Sequence, residues 1–566
     1  MSSVTKRAMA AGSALALAVL AACDGGGGGG GSSGPAGGLV STQPTPAPTP
    51  AAGTALDDSV RLAQQASFGP TMALVDRIRA LGTNGWLDEQ FAATGSTYGD
   101  LAVDVRSDFC AANDTACSTQ RFSRTPVAMR FYADAITAPD QLRQRVAFAL
   151  GQMIVASEAG VRSTAGIAAF NQLFLTHAFG NYRELLLAVT LNAYMGDYLD
   201  MADSRKGTPS ENYAREFLQL FSMGPDKLGM DGSVQRDASG GPIPNYTADD
   251  IRDIARALTG WTYARVGNAA ATDGKAIAYA QPMIAAPTRY DNAEKRFLGT
   301  VVAAGASQQA SVAAVVDAAF NHASTPPFVA RHLITHLVTP NPSPSYIGRI
   351  AAVFANNGSG VRGDLKAVVR AILVDAEARA PQGTNAGKLK EPVLAMTSLA
   401  RAIGFTTDGY VFQVRDGSFG QPVMRAPSVF NFYPNDFPLP GSATLRSPAS
   451  KLLTSANQLR LHNLVYDWTV NGEATRSEFA AVATLPGTSG SAPVWADWEA
   501  FGENVDGMVD RIHLLLFAKG LTKAQRDALK AAGSAITNAD PKLQARKRAQ
   551  MMLYVAATSP MFLVDR

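Results

Sequence analysis

Apolar residues recur at helical spacing along most of the chain from residue 56 onward. Leu142, Val146, Ala149, Leu150, Met153 and Ile154 fall on one helical face, as do Tyr182, Leu185, Leu186, Val189 and Ala193. A 3.6-residue period places such residues on one stripe of a helix, whereas on a strand it would scatter them over both faces. Helix starts are also readable. Thr247-Ala248-Asp249-Asp250 resembles a capping box ahead of Ile251, with Gly260 closing that helix. Thr325-Pro326 puts proline in a first turn, and Thr522-Lys523-Ala524-Gln525 repeats the capping pattern. Strand signals are sparse. The best lies at 228–246, where Asp231-Gly232 and Ser239-Gly240-Gly241 predict a small hairpin. The stretch 405–445, rich in Gly, Pro and aromatics, predicts a long packed loop. No repeat at a solenoid period is present. The expected fold is therefore mainly α: a single large helical domain over 56–566, with a small β-hairpin and long Gly/Pro/aromatic-rich loops.

The segment before it has a different character. Lys6-Arg7 precedes a short apolar run at 8–20, too short to span a bilayer, and the run ends in Leu20-Ala21-Ala22-Cys23. Leu, two small residues and Cys form a bacterial lipobox. This predicts a lipoprotein signal peptide at 1–22, cleaved before Cys23, whose thiol carries the lipid. Residues 23–55 continue with seven glycines at 25–31 and then Thr45-Pro46-Ala47-Pro48-Thr49-Pro50. Such a tether is a flexible coil that stiffens toward its end. The expected location is the cell envelope, facing the periplasm or the cell exterior, with the choice of membrane left open. Buried acyl methylenes contribute roughly 0.8 kcal/mol each, so more than one chain anchors stably. No later segment has the roughly 18 uninterrupted apolar residues of a membrane span. The net charge is +3, and loss of Lys6 and Arg7 with the leader brings it near +1. That balance gives no electrostatic case for nucleic acid as a partner.

Cys110 and Cys117 remain after Cys23 is assigned. They flank turn-forming residues, and in an oxidising compartment they predict a local disulfide. The alternative is a thiol pair on a metal, but no histidine neighbours them.

Two polar helical stripes are the sharpest local features. In 211–221, Tyr213, Phe217, Leu220 and Phe221 form an apolar stripe, and Asn212, Arg215, Glu216 and Gln219 a polar one. Glu211 and Arg215 are also spaced as an i,i+4 ion pair, so a solvated face explains the pattern. The functional alternative is a cleft wall with Glu216 as acid, base or cation ligand and Arg215 as anion holder. The helix at 248–259 repeats the arrangement with Asp249, Arg252, Asp253 and Arg256, where Asp249 and Asp250 also suit a helix N-terminus. His332 and His336 are the metal-pair candidates, with His322 upstream, but His-Leu-Ile-Thr-His lacks the glutamate of a zincin. Surface or helix-packing histidines are the expected reading, and no metal is assigned. There is no Gly-x-Ser-x-Gly elbow, Walker loop, haem motif or dinucleotide fingerprint, and 231–237 does not fit an EF-hand. No cofactor is predicted.

Several blocks resemble the bacterial family called domain of unknown function 1800. They include Leu62-Ala63-Gln64-Gln65-Ala66-Ser67-Phe68-Gly69-Pro70-Thr71, Asn181-Tyr182-Arg183-Glu184-Leu185-Leu186 and the 211–221 block. Tyr246-Thr247, Ala255-Arg256-Ala257-Leu258-Thr259-Gly260-Trp261 and Asn341-Pro342-Ser343-Pro344 follow. Gly387-Lys388-Leu389-Lys390-Glu391-Pro392, Ala426-Pro427-Ser428-Val429-Phe430-Asn431-Phe432-Tyr433 and Ser559-Pro560-Met561-Phe562 complete the set. The resemblance covers about 58 to 566 and implies one large, mainly helical unit, but no known activity. Tyr290-Asp291 stands where the family pattern has His-Asp before Lys295, and Pro448-Ala449 where it has Pro-Glu. Asp291 and Lys295 join the candidate polar cleft. Members are often encoded beside a sulfatase-like exported family, which implies a partner of that kind.

The functional expectation is an exported, lipid-anchored binding or assembly partner of another exported protein. The alternative is an envelope hydrolase using helix-borne carboxylates such as Glu216 and Asp250. Shifted carboxylates in a cleft would favour the hydrolase. An apolar patch, expected from the 405–445 stretch, would favour the binding protein.

Overall fold

The computed structural model describes residues 55–381 and 387–565. The leader, Cys23 and the tether lie outside the described residues. The helices that frame the site are α1 (Leu56–Ala66), α2 (Gln141–Met153), α3 (Asn212–Gln219), α4 (Ala248–Ala257), α5 (Thr325–Leu337), α6 (Pro392–Ile403), α7 (Ser455–Trp468) and α8 (Pro541–Ala557). Their starts follow from local chemistry. Thr247 and Asp250 form a reciprocal capping box on α4, and Pro326 occupies the first turn of α5.

α2 is buried nearly all round, its Gln141, Gln144, Arg145 and Gln152 along with its apolar residues. Leu142, Val146, Ala149 and Leu150 are fully enclosed, and so is Arg145. It packs on α1 and α5, and α5 is buried over most of its length. One large cluster of buried apolar residues has members from Val60 to Phe562, and Val155, Ala426, Phe432, Tyr433 and Ala449 form a second, smaller one. The fold is mainly α, as expected, and among the described residues its strands form only two-stranded antiparallel sheets. These pair β1 (Trp261–Thr262) with β2 (Ile284–Ala285), and β3 (Lys295–Phe297) with β4 (Thr300–Val302). They also pair β5 (Lys388–Leu389) with β8 (Val564–Asp565), and β6 (Phe405–Thr407) with β7 (Ser491–Pro493). No described helix is long and apolar enough to cross a membrane.

The 228–246 segment folds back on itself at the expected turns. Across Asp231-Gly232 the Gly229 and Gln235 N–H groups donate to the Ser233 and Lys227 carbonyls, each at 2.8 Å, and across Ser239-Gly240 the Asp237 and Ile243 N–H groups donate to the Gly241 and Gln235 carbonyls at 2.9 and 3.0 Å. A further tight hairpin lies at β3–β4. Its two-residue turn puts Leu298 at φ 48° and Gly299 at φ 75°, and Asp250 at the head of α4 holds the Leu298 N–H at 2.7 Å. Leucine is not a turn signal, so sequence alone does not announce it. The 405–445 stretch is packed, but it opens with β6 and a helix at Tyr410–Asp416 before becoming irregular. That helix is held by buried Arg124, which donates to both Asp416 oxygens at 2.8 Å. Cys110 and Cys117 are joined in a disulfide, with Cα atoms 5.7 Å apart. Asp114 between them caps the following helix by accepting from the Cys117 N–H at 2.9 Å.

Candidate functional site

α3 and α4 pack against each other, but their polar stripes diverge. On α3, Glu211 and Arg215 form an exposed pair at 3.2 Å, and Asn212 donates to Asp200 at 2.9 Å. Only Glu216 turns inward. It is 8% exposed, its side chain has no hydrogen-bond partner among the described residues, and it lies beside Tyr198 and Tyr246. Burial pushes its carboxyl up from the ordinary range, against the opposing charge of Arg215.

On α4, Asp249 pairs with Arg252 at 2.9 Å in solvent. Asp250 is committed to the capping box and to Leu298. Burial works against its ionisation, but those donors hold it below the usual carboxylate range. Arg256 donates to Asp253 and to Asp291, both at 2.9 Å. Lys295 is 1% exposed and donates to the Ala293 carbonyl at 2.9 Å and the Tyr290 hydroxyl at 3.3 Å. This second stripe therefore grips the hairpin, and none of these residues lines the cavities described below.

A denser polar cluster lies elsewhere, where α2, α5, α6 and the 421–449 loop meet. Glu391 precedes Pro392 at the head of α6 and is 2% exposed. Its carboxylate accepts from the Tyr433 hydroxyl and the Gln421 amide, each at 2.5 Å, and from the Gln152 amide at 3.3 Å. Burial and the Glu391 charge push the Tyr433 phenol well above 10, so it stays a donor. Asn431 donates to the Gln152 side chain at 3.2 Å. Alongside, His332 Nε2 meets the Ala149 carbonyl at 2.9 Å, and Asn435 bridges His332 and His336 at 2.5 and 3.0 Å. The two imidazoles sit 4.4 Å apart, centre to centre. Burial lowers both, His332 to about 4, so they are neutral packing and hydrogen-bonding groups. Among the described residues no three His, Cys, Asp or Glu side chains are grouped to hold a metal ion.

Two hollows flank this cluster. One, about 20 Å³, is walled by His336, Lys388, Glu391, Tyr433, Ser447, Pro448 and Ala449. The other, about 70 Å³, is lined chiefly by Tyr98, Phe131, Phe148, Phe170, Phe174 and Phe432, with Gln152 and Asn431 as its polar end. Sequence inspection missed Lys388, Glu391 and Tyr433 as site residues because they are far apart in the chain and no spacing rule joins them. Their one signal was that they fall within blocks carrying the family resemblance.

The loop that walls the first hollow and the start of α7 after it carry apolar side chains into solvent. Phe430 and Leu459 are 54% and 63% exposed, and Leu439, Leu445 and Leu453 are exposed between them. Leu439 and Leu445 are neighbours, joined by a 2.9 Å backbone bond.

No curated protein and no solved structure matched the chain. Residues 61–564 match the family described as protein of unknown function (DUF1800), and the chain belongs to that family.

Proposed function

We propose that this chain is an exported lipoprotein, anchored through Cys23, that binds or assembles with another exported protein through its 430–459 segment. The exposed apolar side chains of that segment carry the reading. Single exposed apolar residues are ordinary, but five on one thirty-residue stretch put oil in water where a partner would cover it. The Gly/Ser/Pro tether fits this role, since it would let an anchored domain reach a neighbour. A sulfatase-like exported protein is the partner implied by the family association.

The hydrolase alternative draws on Glu216, whose buried, unpartnered and raised carboxyl resembles a general acid. The α4 stripe offers it no second free carboxyl, because Asp250 and Asp253 are held by the hairpin and Asp249 by Arg252.

The test places a photo-cross-linking residue at 430 or 459 in the native envelope, with position 103 or 361 as control. Val103 and Val361 are also exposed but lie elsewhere in the sequence. The expected result is one exported protein captured from 430 and 459 and not from the controls. Equal capture from all four positions, or from none, overturns the reading.

A further inference from the structure

Lys388 stands on β5, against the C-terminal strand β8. Its ammonium has no hydrogen-bond, ion-pair or ring partner among the described residues, and its side chain lines two small hollows. The first is the 20 Å³ hollow walled by His336, Glu391, Tyr433 and Ala449. The second, about 10 Å³, is bounded by Gln64, Gln65 and Asp565. Arg61 also borders it, but Asp58 and the Arg379 carbonyl hold that guanidinium.

The local charges do not balance. Arg145 is fully buried and donates Nη2 to the His336 carbonyl at 2.7 Å, leaving Nε and Nη1 without partners. Lys390 is paired with Asp565 at 2.8 Å. The Glu391 oxygens are already taken by Tyr433, Gln421 and Gln152. His332 and His336 are neutral. Among the described residues three cations thus face two carboxylates, Glu391 and Asp565, and Arg145 and Lys388 are the two of the three without a paired carboxylate. A buried charge without a counter-charge is costly, and a bound anion removes that cost. Burial and Arg145 lower Lys388 to about 8, against the opposing charges of Asp565 and Glu391.

We propose that the hollow beside Lys388 binds a carboxylate group, with Lys388 as its ion-pair partner. The space on each side is about that of one water, which fits a planar carboxylate on a narrow stem better than a tetrahedral phosphate. Ser447, Pro448 and Ala449 at the rim belong to the same stretch as the exposed apolar residues. Resting on the docking reading above, the carboxylate is an acidic side chain or chain terminus of the bound partner.

The test uses the full chain and acetate as probe. Lys388 is labelled with trinitrobenzenesulfonate and followed by peptide mass spectrometry, with acetamide and inorganic phosphate as controls at constant ionic strength. Protection scales as 1 + [L]/Kd, so acetate at about nine times its Kd should slow labelling about tenfold. Acetamide and phosphate should not. Ala449→Glu, which places a carboxylate in the hollow, should slow labelling without acetate and abolish the acetate effect. Lys388→Met should remove any rise in Tm with acetate. Labelling indifferent to acetate, or equally slowed by acetamide or phosphate, overturns the proposal. A partner captured at position 430 that acetate does not weaken also overturns it while leaving the docking reading intact. Acetate protection without capture at 430 keeps the carboxylate site, makes a free acid its ligand, and overturns the docking reading.

Discussion

Replacing Glu391 with Gln should destabilise the protein by about 3–5 kcal/mol, the usual cost of removing one member of a buried charged network. The Glu391 carboxylate accepts from Tyr433, Gln421 and Gln152 while nearly inaccessible to water. Hydrogen bonds to a charged acceptor contribute about 1.5–3 kcal/mol each. Glutamine keeps one oxygen and turns an amide NH2 toward groups that are themselves donors. At least one donor is then orphaned, and Arg145, Lys388 and Lys390 lose one of their two neighbouring negative charges. For a chain of 566 residues, an unfolding entropy of about 2.1 cal/mol/K per residue gives about 1.2 kcal/mol/K. The expected fall in Tm is therefore about 3–4 °C, read by differential scanning calorimetry at neutral pH. Tyr433→Phe should cost about 1.5–3 kcal/mol alone, and less in the Glu391→Gln background, because the two act in one network. A Glu391→Gln protein melting within about 1 °C of wild type, or strictly additive mutants, would refute the view that this carboxylate organises the cluster.

Three further outcomes are expected. Burial, with help from Asp140 and Asp100 and against Arg130, raises Asp134 to about 7. A carboxyl raised in the folded state contributes stability that is complete below about pH 4 and is lost as pH rises through about 7. Asp134→Asn should therefore match wild type near pH 4 and exceed it by about 2 kcal/mol at pH 8 in paired thermal melts, a figure discounted for partial solvent access. Asp250→Ala should cost about 1–3 kcal/mol, because it opens the α4 capping box and orphans the Leu298 N–H, with hydrogen exchange at 297–300 as the readout. Cys23→Ala should abolish metabolic lipid labelling, and unchanged labelling would sink the lipobox reading.

Much of the helical frame was legible from short-range chemistry. The capping boxes at Thr247 and Thr522 and the proline start at Thr325 are where the residues place them. Local signals also found the disulfide. The polar stripes were legible as stripes, but their orientation was not. Asp250 and Arg256 look alike whether they face a cleft or a hairpin, and the hairpin depends on a leucine at positive φ. The cluster around Glu391 was not legible because Gln152, Lys388, Glu391 and Tyr433 meet only through tertiary packing. Buried Arg145 is the clearest case: on sequence it is one more charged residue beside an apolar stripe, and only the packing of α2 on α1 and α5 shows it enclosed.

The most direct test of the central claim is cross-linking and co-purification from native membranes, comparing wild type with Phe430→Ser/Leu459→Ser. Both side chains are exposed, so the variant should fold with an unchanged melt. The account predicts an exported partner at one-to-one stoichiometry with wild type and its loss with the variant. A partner retained by the variant, or no partner with wild type, would contradict it.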